Sequence, residues 1–520
     1  MIFSRRAVLT RSASAGLITL LPLSACREQS SKKSRPTSQS AEIQNHNGSV
    51  RYVLNSIEDL RHYSGPHKTL EINYHTTPHD NGGGLFIYDP KLKAKDNNGI
   101  IIAHASGKGC WRRHISHDVT LAMFGAQGDE SDETDIIQNA LNNLAGYKLH
   151  LNKGAFYARN LVINVDMMIE GAGYSLSALV QFPGATGDFI TIEDVKHPSF
   201  RHMQISGNAK GGSAVCISGS DLNKTSGIEF FKVLITNAGK DGIEFKGSSD
   251  NTVISETIIE ENGRHGVNIT PRAAGVSIHQ CRFVNNVETG ANIVGTSNAV
   301  EVANRVTNNV FGGGKNGVIV SNRFFTIITD NEFLILKNEA IKLEGASYTS
   351  VSNNQIHSNG GGILECPSTI EPITNPRSNT ITHNTIFLNG FGFIGKNTQS
   401  TSLISNSIEL NSKDGITITD TVSTTLLDNE VYGNWVNHPA TSPRIQAGIT
   451  IIATEPGLSL DNKISLGRVN DGGVGGQKDG IFIDKNVRGT IIENVSISAP
   501  NRAIVQPAGT VLHISGVNDL

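Results

Sequence analysis

Along most of this chain the apolar residues fall in short alternating runs, each opened by a glycine. In "GIEFK", Ile243 and Phe245 point one way while Glu244 and Lys246 point the other, the period-two mark of a strand with one buried face. The form returns behind Gly242, Gly266, Gly290, Gly317, Ala340, Gly362, Gly392, Gly415, Gly448 and Gly480, at steps of 24, 24, 27, 23, 22, 30, 23, 33 and 32 residues. A second motif keeps the same beat. Asn309, Asn331, Asn354, Asn384, Asn406 and Asn429 each sit just before an apolar run, at steps of 22, 23, 30, 22 and 23. Two motifs sharing one irregular rhythm mark an internal repeat of two or three short strands per unit.

Such units leave no room for a crossover helix. Leucine-rich repeats require a fixed leucine pattern with a helix per unit, and propeller blades require longer antiparallel units. The expectation is an all-β chain wound as a right-handed parallel β-helix, a single-chain solenoid. Glycine at the head of each run suits a turn conformation. The asparagines are expected to hydrogen-bond from coil to coil, as stacked amide ladders do.

The ends and the composition refine this picture. "SRRAVLT" followed by "SAGLITLLPLSAC" has the charged start, short apolar middle and small-residue exit of an export signal. Arg5 and Arg6 resemble a twin-arginine signal, and "LSAC" resembles the lipobox whose cysteine, here Cys26, is lipidated. The expectation is a signal over 1–26, a disordered tether over 27–50, and a cell-envelope protein held to the membrane through its N-terminal lipid alone. Formal net charge is −3, which gives no electrostatic case for nucleic acid. With 54 glycines and 6% aromatics the composition favours a turn-rich fold over a helical bundle. Cys110, Cys216, Cys281 and Cys366 are too widely spaced for a zinc or disulfide pattern and read as buried thiols, although export would permit a pair to oxidise.

Residues 119–144, "VTLAMFGAQGDESDETDIIQNALNNL", resemble the entry segment of the pectate-lyase-like β-helix superfamily. "GAFYARNLVI", "IEGAGYS" and "FRHMQISGN" resemble its first coils. In the entry, Asp132 or Thr134 is placed to cap a helix whose Ile136, Ile137, Ala140 and Leu141 share one face, closing the open end of the stack. Upstream, "GGGLFIYDP" through "DNNGIIIAHASGKGCWRR" resembles the small domain that precedes this helix in phage tailspikes. The resulting organisation is a small β-rich N-terminal domain over 51–118 and the β-helix over 119–515. The resemblance implies a carbohydrate substrate or ligand, since the superfamily comprises polysaccharide lyases, glycoside hydrolases, uronan epimerases and tailspikes.

Stacking the coils at the glycine aligns Lys240, Arg264, Glu288, Lys315 and Asn338 two positions before it, and Asp241, His265, Thr289, Asn316 and Glu339 one position before it. The expected site is therefore His265, Arg264 and Asp241 as catalytic groups, with Lys240, Glu288 and Lys315 contacting substrate. β-Elimination on a uronate needs a base for the proton beside the carboxylate and a cation for the charge that develops. His265 titrates near neutrality, and Arg264 or Lys315 can meet a carboxylate. "RHG" resembles the mannuronan epimerases, which implies a carboxylate contact for Arg264 and proton transfer for His265. Their "DPHD"-type motif is missing one coil earlier, where "AVCISGSDLNKTSG" stands. The reading is thus a lyase acting on an acidic polysaccharide. A glycoside hydrolase using Glu244, Glu256, Glu260, Glu261 or Glu288 is one alternative, although the polygalacturonase-like "NTD", "DD" and "RIK" are absent. A non-catalytic polysaccharide-binding lipoprotein is the other. Against both site readings stands plain turn chemistry, because Asp-Gly recurs at Asp414 and Asp479. No ligand spacing specifies a metal, while the acidic positions are of the kind calcium uses. The longer coils around "PSTIEPITNPRSNT" and "GNWVNHPATSPRIQ" carry loops expected to wall the groove.

Overall fold

The computed structural model describes residues 41–44, 50–116, 118–220, 222–296, 302–436, 446–473, 476–507 and 512–519. The export signal, Cys26 and most of the tether lie outside the described residues. Part of the expected tether is ordered: Ala41–Gln44 forms a strand paired antiparallel with Val50–Leu54. Main-chain pairing, to which composition is blind, extends the N-terminal sheet into that polar segment. This six-stranded, mostly antiparallel sheet closes on a core that includes Leu54, Leu60, Tyr63, Phe86 and Trp111.

From Val119 onward the described strands build three long parallel sheets of 16, 14 and 16 strands, and a short parallel sheet of three two-residue strands lies beside them. We number these sheets in chain order within a coil: the first includes Val253–Ser255, the second Ile258–Glu260 and the third His265–Ile269. Every step of the glycine alignment holds in the third sheet. Ile243 pairs with Val267, Val267 with Ala291, Ala291 with Val318, Val318 with Ile341 and Ile341 with Ile363. The register continues through Phe393, Ile416, Ile449 and Ile481.

The reason for glycine differs from the turn argument. A Cβ on Gly266 would lie 2.6 Å from the Gly290 carbonyl oxygen and 2.7 Å from the Phe283 ring. One on Gly362 would lie 2.1 Å from the Gly392 oxygen. Close approach between coils, and not a left-handed backbone, excludes larger side chains here.

The asparagine ladder forms as expected. Asn354 donates its side-chain amide to Asn384 Oδ1 at 2.9 Å and to the Ile328 carbonyl at 3.0 Å, and Asn384 repeats this toward Asn406 and Val351. A second ladder, Asn359–Asn389–Asn411–Asn434, runs up the next corner. Both keep buried polar groups paired in a narrow core. The residue before each ladder asparagine turns left-handed, as at Asn308, Asp330, Asn353 and His383. Inside, Phe283, Phe311 and Phe333 stack at 4.6 and 4.9 Å.

The entry helix spans Thr134–Asn142 and buries Ile137, Ala140 and Leu141 on the first coils. Asp132 accepts from the Thr134 N–H at 3.2 Å, so the acid serves the first turn while Glu133 occupies the cap. All four described cysteines are free thiols. Cys110, Cys216 and Cys281 are buried, and Cys366 is half-buried, which corrects the expectation for that one. No helix among the described residues is long and apolar enough to cross a membrane.

Candidate active site

The third sheet places the predicted residues at its entry edge, where each coil turns from the second sheet. Asp241 closes the corner before Ile243–Phe245, and Arg264 and His265 occupy the same corner one coil above. Arg264 donates Nε to Asp241 Oδ1 at 2.8 Å and Nη2 to Asp241 Oδ2, a two-pronged contact. Asp241 Oδ1 also accepts the His265 backbone N–H at 3.0 Å. Asp241 is fully buried and fixes both residues above it.

The alternation that turns Glu244 outward brings it under the same guanidinium, with Arg264 Nη2 at 3.3 Å from its Oε1. Its Oε2 accepts from Ser213 Oγ at 2.6 Å, one coil below. Lys246 reaches Asp188 at 2.6 Å and stands 3.5 Å from Glu244. Asp188, Lys246, Glu244, Arg264 and Asp241 therefore form one continuous chain of alternating charge. Burial pushes the Asp188 carboxyl up, but the Lys246 ammonium and the Ser213 N–H outweigh it and hold the group below its ordinary value. Burial opposes the Lys246 charge, yet the bond to Asp188 carries that ammonium up to about 12. The Asp241 contact, then the Glu244 charge, hold Arg264 above its ordinary value.

His265 differs from these. Burial lowers its pKa below 6.5, and its Nδ1 is buried without a hydrogen-bond partner among the described residues. A neutral imidazole beside a guanidinium can accept a proton at neutral pH.

The structure thus brings together His265, Arg264 and Asp241. Glu288 and Lys315 pair with each other at 2.7 Å, one and two coils higher. Lys240 extends into solvent on the lowest coil. The layering of charge is consistent. Asp241, Glu244 and Asp188 expose 0%, 11% and 18% of their side chains, whereas Arg264, Lys246 and Lys315 expose 40%, 43% and 43%. Carboxylates lie beneath the cations at Arg264 and Lys246, whereas Glu288 is 40% exposed beside Lys315.

Two of the expected hydrolase glutamates lie elsewhere. Glu256 sits at another corner beside Lys232, 3.3 Å away, and Glu260 lies on the second sheet. Asp188, Ser213 and Lys246 were not singled out from sequence. Ala214 and Phe189 stand where later coils carry the marker glycine, so the alignment that exposes the cluster stops one coil too soon. Asp414 was read as turn chemistry, yet it accepts from Trp435 Nε1 at 2.6 Å and Thr417 Oγ1 at 3.0 Å, and burial pushes it up to about 6. Among the described residues no group of three or more His, Cys, Asp or Glu is arranged to hold a metal ion.

Comparison with known proteins gives two family matches. A model described as the right handed beta helix region matches residues 125–311 and 316–506, and one described as the phage tail protein small four-stranded beta-sheet domain matches residues 53–116. No curated relative matches the chain. Solved structures are similar to the chain at low identity. The enzymatically active domain of bacteriophage CBA120 tailspike protein 2 is 16% identical, with 89% of this chain and 61% of that chain covered and a TM-score of 0.39. The A-module of the Azotobacter vinelandii mannuronan C-5 epimerase AlgE6 is 14% identical, with 78% and 99% covered and a TM-score of 0.45. The catalytic unit of a Streptomyces thermodiastaticus GH87 α-1,3-glucanase is 15% identical, with 79% and 71% covered and a TM-score of 0.43. The chain thus spans less than two thirds of the length of the tailspike domain.

Proposed function

Because this chain belongs to the right-handed β-helix family, whose fold sets coils side by side along a polymer-length face, we propose that it is a polysaccharide lyase acting on a uronate-containing polymer by β-elimination. The observation that supports this most is the layering at the entry edge of the third sheet. Carboxylates that are buried or nearly so hold outward-facing Arg264 and Lys246, so an approaching anionic chain meets these cations first. Among the described residues Arg264 Nη1 has no hydrogen-bond partner, while Asp241 fixes the rest of the guanidinium, an arrangement suited to one charge-assisted bond to the sugar carboxylate. His265 is neutral and takes the proton from the adjacent carbon through Nε2, because its Nδ1 is buried out of substrate reach. Electrons from that C–H bond form the new C=C bond as the glycosidic C–O bond at the neighbouring carbon breaks, the leaving oxygen takes a proton from water, and His265 later returns its proton to solvent. Export by the Arg5–Arg6 signal and anchorage at Cys26 complete the proposal, placing the enzyme at the cell envelope.

Polygalacturonate, alginate and hyaluronan incubated with the purified protein decide the reading. Elimination produces ultraviolet-absorbing unsaturated ends together with reducing ends. Reducing ends without that absorbance identify a hydrolase, for which Glu244 is the best-placed carboxylate. Retarded migration in a polymer gel with no new ends identifies a binder.

A further inference from the structure

The opposite edge of the third sheet carries a different surface. Where coils turn from the third sheet back to the first, Phe324 pairs with Ser347, Ser347 with Arg377 and Arg377 with Gln399. The residue that follows each is left-handed: Phe325, Tyr348, Ser378 and Ser400 in turn. Two neighbouring coils therefore present aromatic rings where the next two present serine. The rings are not buried, since Phe325 and Tyr348 remain 41% and 44% exposed.

They form a continuous platform. Tyr348 lies 5.4 Å from Phe325 and 6.0 Å from Phe324, with interplanar angles of 21° and 25°. The Arg377 guanidinium stands over this platform, 5.8 Å from the Phe324 ring centre and 5.7 Å from that of Tyr348. Among the described residues neither a carboxylate nor a hydrogen-bond acceptor is given to that guanidinium. The contrast with the opposite edge is direct, because Arg264 there is held by Asp241 and Glu244.

We propose that Phe325, Tyr348 and Arg377 form a second polysaccharide subsite, which takes one hexuronate unit of an acidic glycan. The apolar C–H groups of the sugar pack against the part of the Phe325 and Tyr348 rings that the stack leaves exposed. The sugar carboxylate meets the unpaired guanidinium in a two-pronged contact. Phe325 and Tyr348 belong to the second and third coils above His265, about 10–15 Å along the axis and about 20 Å across the sheet. One polymer chain crossing the third sheet obliquely reaches both edges. The subsite supplies affinity for the acid sugar, and the His265 edge supplies the proton transfer. This inference rests on the polysaccharide reading but does not require turnover.

The test is electrophoresis of the full exported protein through gels containing polygalacturonate or alginate, with dextran as the neutral control. Tyr348→Gly and Arg377→Gln are each expected to weaken retardation by the acidic polymer about fivefold to tenfold. Retardation by dextran should be absent throughout. Tyr348→Gly should melt at the same temperature or higher, because glycine accepts the positive φ of 54° without a side chain to strain. A protein retarded by the acidic polymer but turning nothing over would end the elimination proposal and leave this one standing. Unaltered retardation in both platform variants would overturn it. So would a lowered melting temperature in Tyr348→Gly, which would make the rings structural, or a change in its oligomeric state without polymer, which would make them a contact between copies.

Discussion

The third sheet carries two Asp-Gly corners that each reach for an arginine on the coil above, and they are not equivalent. Asp241 is gripped by Arg264, and Asp479, 238 residues further on, accepts from Arg502 Nε at 3.2 Å. In both pairs the acid is buried and the arginine exposed. The pair alone is therefore a device for joining coils. What differs is its company. Two and four positions after the marker glycine, the first corner has Glu244 and Lys246, where the second has Phe482 and Asp484. Above the first stands His265. Above the second, Arg502 itself occupies that register. Chemistry at the first corner comes from the surroundings added to a structural pair.

The coils between the two corners supply the largest expected effect. Asn384→Leu removes a ladder rung, taking the shared acceptor from the backbone N–H and one side-chain N–H of Asn354 and a donor from the Val351 carbonyl. It should destabilise the protein by roughly 3–5 kcal/mol in denaturant melts. Turnover of the surviving folded fraction should be unchanged, which separates ladder from site.

The corners themselves should then separate in activity. Asp241→Asn loosens Arg264 and the backbone of His265, and should lower kcat about 100-fold. Asp479→Asn should leave kcat within about twofold. Equal losses in both would mean that the pair acts only through folding.

Glu365 offers a contrast in stability, since it is fully buried inside the later coils with Thr401 Oγ1 as donor at 2.9 Å. Burial pushes its carboxyl from 4.5 up to about 7, so within that window the folded chain holds a proton that the unfolded chain has released. Its stabilising contribution is complete below about pH 4.5, falls as pH rises, and is gone above about pH 7. Glu365→Gln should flatten this slope and raise stability at pH 8 by roughly 2 kcal/mol. A melt series against pH checks it.

The smallest effect is a displacement. Burial lowers the His265 pKa, so the acid limb of the kcat/KM profile should rise with pH through a midpoint below 6.5. A midpoint above that value would require a different base.

The architecture was readable from sequence because most coils carry glycine where backbones nearly touch. The 2.6 Å approach at Gly242 and Gly266 wrote itself into a visible spacing. The second amide ladder was harder to see, since Asn359 and Asn389 precede their glycines by three residues and Asn411 by four. At the site, the register alone placed Asp241 beneath Arg264 and His265. It did not reveal Asp188, because Ala214 and Phe189 interrupt the glycine series. Nor did it reveal Ser213 as a partner of Glu244, or the exposed ring of Tyr348, since both depend on side-chain reach across coils.

The account depends most on His265 as the group that moves the proton. Its measurement is the rate of unsaturated-end formation from the acidic polymer by wild type and His265→Ala, with melting temperature and gel retardation recorded on the same samples. The account predicts a loss of at least about 100-fold with fold and binding intact. A His265→Ala protein that still generates those ends at the wild-type rate would contradict it.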